Sequence, residues 1–166
     1  MIGDSDDGDL DRLRELAADL GGLGNGDLLA WAGPGAADAM PDEVFAVVRD
    51  AGLFGDGDAD WSVSMPADGD ALLSRLWEID ASVAVDLLAK LAGTTRPRRY
   101  RLRRVQQEQP QDVFDEMVRL AGPGATWWTN TDLTRWNPIT QHDFDAIVVG
   151  AGNGMIVTVI AFEGGG

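Results

Sequence analysis

The chain has 166 residues, 45% of them hydrophobic, which suits one domain able to bury a real core. It has no cysteine, which excludes a disulfide framework and a thiolate metal site, and its net charge of −15 disfavours nucleic acid and acidic membranes as partners. No run approaches the ~18 apolar residues of a membrane helix. The opening residues 1–9 lack the basic start and apolar stretch of a secretory signal, so a cytoplasmic protein is expected.

Residues 1–9 read as a disordered acidic tail on a single domain. The next element is a helix from Asp9 or Leu10 to Leu20, with Leu10, Leu13, Leu16, Ala17 and Leu20 on one face and Gly21-Gly22 as its stop. Asp27 reads as the cap of a short helix through Leu28, Leu29 and Trp31, ended by Gly33-Pro34. Pro41 opens a third helix, with Val44, Phe45, Val47 and Val48 inward and Gly52 past its end. Residues 10–60 thus read as a helical subregion, and 61–166 as an α/β core beginning with a strand at Trp61–Met65.

Asp70 to Leu91 lacks Gly and Pro and keeps a helical stripe through Leu72, Leu76, Ile79, Val83, Leu87 and Leu91. It is one helix, or two with Asp80 capping the second. A strand at Arg98–Val105 and a helix at Asp112–Ala121 follow, the helix stopped by Gly122-Pro123-Gly124. Three further strands are expected at Thr126–Asn130, Phe144–Gly150 and Met155–Phe162. The last two are apolar on both faces except at Asp145 and Thr158, which places them in the middle of a covered sheet. The whole reads as α+β: a mixed or antiparallel sheet of about five strands with helices packed on it, a C-terminal β-hairpin and an acidic helical N-terminal part.

Three motifs suggest specific chemistry. Asp145 to Gly154 resembles the first strand and turn of flavoproteins with a Rossmann domain, since an apolar strand runs into Gly150-Ala-Gly152. That fingerprint requires a third glycine, where this chain has Met155, and then a helix whose N-terminus meets the pyrophosphate. Here Met155-Ile-Val-Thr-Val-Ile-Ala-Phe162 is a β-branched run, so a hairpin turning at Asn153-Gly154 is expected and no cofactor is assigned. Asp56-Gly-Asp58-Ala-Asp60 begins like an EF-hand calcium loop, but Trp61 and Ala67 stand where that loop needs Gly and Glu. His142 is the single histidine, and on a strand it faces away from Asp143 and Asp145, so neither a catalytic set nor a metal site is assigned.

Charge is segregated. Residues 1–60 hold fifteen acids against Arg12, Arg14 and Arg49, whereas residues 96–104 hold half of the arginines. On a strand, Arg99, Arg101 and Arg103 point one way. They read as a solvated edge that blocks sheet pairing, as internal partners of the acidic N-terminal part, or as a phosphate or carboxylate docking face. Lys90 is the only lysine beside twelve arginines, a usage that fits a GC-rich or salt-loving organism and would account for much of the acidity. Trp127, Trp128 and Trp136 frame a long polar loop, and only one of the adjacent pair can enter a one-sided core. Tryptophan and arginine are favoured interface anchors, so Trp128, Arg135 and Trp136, with Arg99, Arg101 and Arg103, are the candidate contact residues. The expected function is a non-catalytic acidic interaction protein, immunity- or inhibitor-like, binding a protein with a basic surface. The alternative is a small-ligand or enzymatic domain using Arg99, Arg101 and Arg103 with the Trp128–His142 loop.

Overall fold

The computed structural model describes residues 2–23, 28–52, 66, 68–94, 104–131, 137, 139 and 144–163. In chain order these form α1 (Ile2–Leu23), β1 (Leu28–Pro34), a 3-10 turn (Ala37–Ala39), α2 (Met40–Asp50), α3 (Gly69–Leu73), β2 (Trp77–Ile79), α4 (Ala81–Thr94), α5 (Arg104–Ala121), β3 (Thr126–Thr129), β4 (Phe144–Gly152) and β5 (Met155–Glu163). The strands make one sheet in the order β1-β5-β4-β3-β2, with every neighbouring pair antiparallel. The α+β class and the C-terminal hairpin are as expected, and β4 and β5 each have a strand on both sides.

Because strand side chains alternate, a sheet apolar on both faces needs a cover on each. One face carries Trp127, Ala146, Val148, Val157 and Val159 and is covered by α1, α4 and α5 through residues such as Leu13, Leu16, Leu88, Phe114 and Met117. The other carries Ile147, Val149, Ile156 and Ile160 and is covered by α2, α3 and Ile139 through Met40, Val44, Val48 and Leu72. Burying each such large aliphatic side chain contributes about 1.5–3 kcal/mol. No helix among the described residues is long and apolar enough to cross a membrane.

Several elements differ from the sequence reading. Leu28–Trp31 is a strand, not a helix: Leu29 and Trp31 pack on one core and Ala30 and Ala32 on the other, a period of two. Pairing along β5 supplies seven residues of register, which outweighs one capping aspartate. Helix α1 begins at Ile2 and so takes in the acidic opening. The Asp70–Leu91 section is two helices with β2 between them, where Trp77 and Ile79 pair with Thr129 and Trp127. Asp80 stands at the cap of the second, its carbonyl accepting from Ala84 N at 2.9 Å. The continuous stripe fails at Val83, which is exposed. Arg104 and Val105 are helical, the start of α5, which continues across Pro110. The expected strand at Trp61–Met65 and Arg98–Arg103 lie outside the described residues.

β1 is one of the two edge strands of the sheet. Gly35 N donates to Gly154 O at 2.8 Å, so alternation turns Ala32 and Pro34 toward the outside. There Arg14 Nε donates to Ala32 O at 3.3 Å and Pro34 has no N–H to offer, two devices that blunt a sheet edge.

The hairpin explains the glycines that resembled a nucleotide fingerprint. Asn153 and Gly154 have φ of 54° and 75°, the doubly positive pattern of a type I′ turn. A Cβ on Gly150 would sit 2.5 Å from the Trp127 ring, which lies across β4. A Cβ on Gly152 would strike the Ala121 carbonyl at the end of α5. Asn153 Nδ2 then donates to Leu120 O at 2.8 Å, tying the turn to the same helix end. The glycines admit an indole and a helix terminus rather than a pyrophosphate.

An ion pair joins two helices of one layer. Arg12 on α1 holds Glu116 on α5 through Nε–Oε2 at 2.7 Å and Nη2–Oε1 at 2.9 Å. These hydrogen bonds hold the Glu116 carboxyl below the usual carboxylate range, opposed by partial burial. A lowered carboxyl stabilises the fold above its unfolded value, and that contribution disappears as pH falls through the folded value. Both groups are partly solvated, so Glu116→Gln should cost only about 0.2–1 kcal/mol in urea denaturation at neutral pH, with the difference from the parent vanishing in acid. Gly150→Ala and Gly152→Ala should each cost about 1–3 kcal/mol by the same measurement. The second should be the worse, since a helix carbonyl yields less than a ring. Equal stability of either variant with the parent would refute the close packing described.

Candidate functional site

Of the residues singled out from sequence, Trp128 is described. It sits half-buried on β3, between Glu78 of β2 and Val149 of β4, and packs against the α2–α3 core. Trp127 points the other way and is buried against α4 and α5, so a covered sheet accommodates both indoles. Arg99, Arg101, Arg103, Arg135, Trp136 and His142 lie outside the described residues, as does the Asp56–Asp60 turn.

The base of that loop is held by a buried polar cluster. Asn130 Nδ2 donates to Asp145 Oδ1 at 2.8 Å and to Asn137 O at 3.0 Å, while its Oδ1 accepts from Ile147 N at 2.7 Å. The Asp145 carboxylate, fully buried, also accepts from Ile139 N at 3.2 Å. Asn137 Nδ2 reaches out to Arg75 O at 3.1 Å, just beyond α3. A buried polar side chain is tolerable when it is hydrogen-bonded, and these are. Asp145 thus fastens the start of the loop to the α2–α3 side of the sheet.

On the same side, a cleft of about 140 Å³ opens between β1, β5 and α2, lined by Trp31, Ala32, Gly33, Glu43, Val47, Ile156 and Thr158. Its walls follow from register and helical spacing. Trp31 lies opposite Thr158 and Gly33 opposite Ile156, while Glu43 and Val47 are four apart on α2 and share a face. With no side chain at Gly33, the Glu43 carboxylate lies over the strand, 3.7 Å from where a Cβ would stand. Thr158 is 2% exposed and lines this cleft.

The volume is well below the roughly 300–1,000 Å³ of sites for metabolites and cofactors. At ~30 Å³ per water it holds four or five waters, or one long side chain. Its lining brings together apolar side chains, an indole, a hydroxyl and a carboxylate. Trp31, Glu43 and Thr158 were not chosen from sequence. Thr158 left a signal, as one of two polar breaks in an apolar hairpin. Trp31 did not, because its segment read as helix.

Comparison with known protein families, with characterised proteins and with solved structures gave no match. The fold is a five-stranded antiparallel sheet covered on both faces, with a small cleft between β1, β5 and α2.

Asp145→Asn would turn an amide N–H toward the Ile139 N–H or else abandon the Asn130 amide. It should cost about 1–3 kcal/mol in thermal or urea unfolding and increase hydrogen exchange at Ile139 and Asn137 before the β4–β5 amides. Uniform exchange across the molecule would rule out a local role for this carboxylate.

Proposed function

We propose that this chain is a non-catalytic acidic interaction protein, immunity- or inhibitor-like, that binds a protein with a basic surface. The observation that carries the reading is a shared side. Asp38, Asp42 and Glu43 at the start of α2 are exposed, and so are Asp68 and Asp70 at the start of α3. The two helix starts abut, with Gly69 against Asp42. The stapled loop base and Trp128 lie on that side of the sheet too.

Part of this acidity serves the fold. Asp68 caps α3 by accepting from Ala71 N at 2.8 Å, and acids in a first turn offset the helix dipole. The remainder is uncompensated: none of the five is ion-paired among the described residues, and the cation on α2, Arg49, is paired with Asp50. Clustered like charge destabilises the free protein and steers a basic partner toward it. Trp128, with Arg135 and Trp136 further along the loop, would supply the apolar anchor that charge alone lacks.

The test compares capture of cellular proteins by immobilised parent and by the variant Asp38→Asn, Asp42→Asn, Glu43→Gln, Asp70→Asn. The parent should retain a basic protein at low salt and release it as salt rises, and the variant should not retain it. Identical retained sets, or no retained protein, would count against the reading.

A further inference from the structure

We propose that Asn153 is a site of spontaneous covalent modification, deamidation through Gly154, and that the end of α5 controls it. Asn-Gly occurs twice in the chain, at Asn25-Gly26 and Asn153-Gly154. Glycine lacks a Cβ, so its backbone nitrogen is open for attack on the preceding side chain. Asn153 and Gly154 are both exposed, so water and base reach them. The Gly154 nitrogen gives its proton to base and bonds to the Asn153 Cγ. The Cγ–Nδ2 bond breaks and ammonia leaves. Water then opens the cyclic imide at either carbonyl, leaving aspartate or isoaspartate. Nothing is oxidised or reduced.

The folded turn holds the amide away from this reaction. Nδ2 donates to Leu120 O at 2.8 Å, and the amide packs so closely on Gly122 that a Cβ there would lie 2.8 Å from Nδ2. Closing the imide makes Cγ tetrahedral and turns it toward the Gly154 nitrogen, so the amide must first leave Leu120 O. The product cannot return to that contact. A carboxylate has no proton to donate, and it would face carbonyl oxygens at the negative end of α5. Isoaspartate also lengthens the backbone of a turn that holds only two residues. Conversion of Asn153 therefore detaches the hairpin tip from α5, in one direction only.

The experiment holds the full chain at mildly alkaline pH, folded and in urea, and follows the peptides carrying Asn25 and Asn153 by mass spectrometry. In urea the two asparagines should convert at similar rates. Asn153 should convert at least about fivefold more slowly in the folded chain than in urea. Gly122→Ala, whose Cβ displaces the amide, should restore much of the lost rate. The consequence is read separately in Asn153→Asp, since a type I′ turn accepts Asp-Gly as well as Asn-Gly. Its Gly122 and Ala125 amides, which close the end of α5 on Val118 O and Gly122 O, should exchange about fivefold faster than in the parent. That gap should close in acid, where the carboxyl regains a proton to donate. Conversion of Asn25 alone in urea would overturn the site. Equal Asn153 rates in the folded and urea-treated chain, or an unchanged rate in folded Gly122→Ala, would overturn the control by α5. Parent-like exchange in Asn153→Asp would overturn the detachment.

Discussion

Every residue of β5 from Met155 to Ala161 is buried, and the rest of the architecture answers that constraint. A strand inaccessible on both faces needs paired neighbours at both edges and a packed layer above and below. β1 and β4 supply the edges. α1, α4 and α5 supply one layer, and α2, α3 and the Ile139 segment supply the other. Local preference yields to this demand. Leu28–Trp31 has a helix cap before it, and β2 is only three residues long, yet both are strands because the sheet needs them there.

Within so apolar a hairpin, a polar residue must be satisfied or costly. Asp145 and Thr158 are the two polar interruptions that the sequence makes visible. Asp145 is surrounded by donors from Asn130 and the Ile139 backbone, so its role is closed within the fold. Thr158 stands opposite Trp31 across the β1–β5 pairing and lines the cleft beside α2.

How much was legible follows from the range of each interaction. The hairpin, the covered position of β4 and β5, the helices ending at Gly52 and Gly122, and the α+β class are written in local periodicity and turn chemistry. The strands β1 and β2 were not legible, because their identity depends on partners over a hundred and about fifty residues away. Of the candidate contacts, Trp128 falls on the side of the sheet that carries the acidic helix starts, and the others lie outside the described residues. The cleft was invisible for the same reason as β1. Trp31 faces Thr158 only once the strand exists, and Glu43 covers Gly33 only once α2 has crossed it.

The Gly150-Ala-Gly152 pattern shows why a motif must be read with its geometry. In a dinucleotide fold such glycines let a helix N-terminus approach a phosphate; here they let the Trp127 ring and the C-terminal end of α5 approach β4. The electrostatics are opposite, since a helix C-terminus presents carbonyl oxygens and would repel an anion. Asn153 completes that inversion by donating to Leu120 O, using at a helix end the side chain that the turn already required for its positive φ. One dipeptide thus sets the hairpin, closes α5 and joins the two. The anion-binding chemistry that the sequence pattern evokes is therefore blocked by the same contacts that hold the sheet to its helical layer.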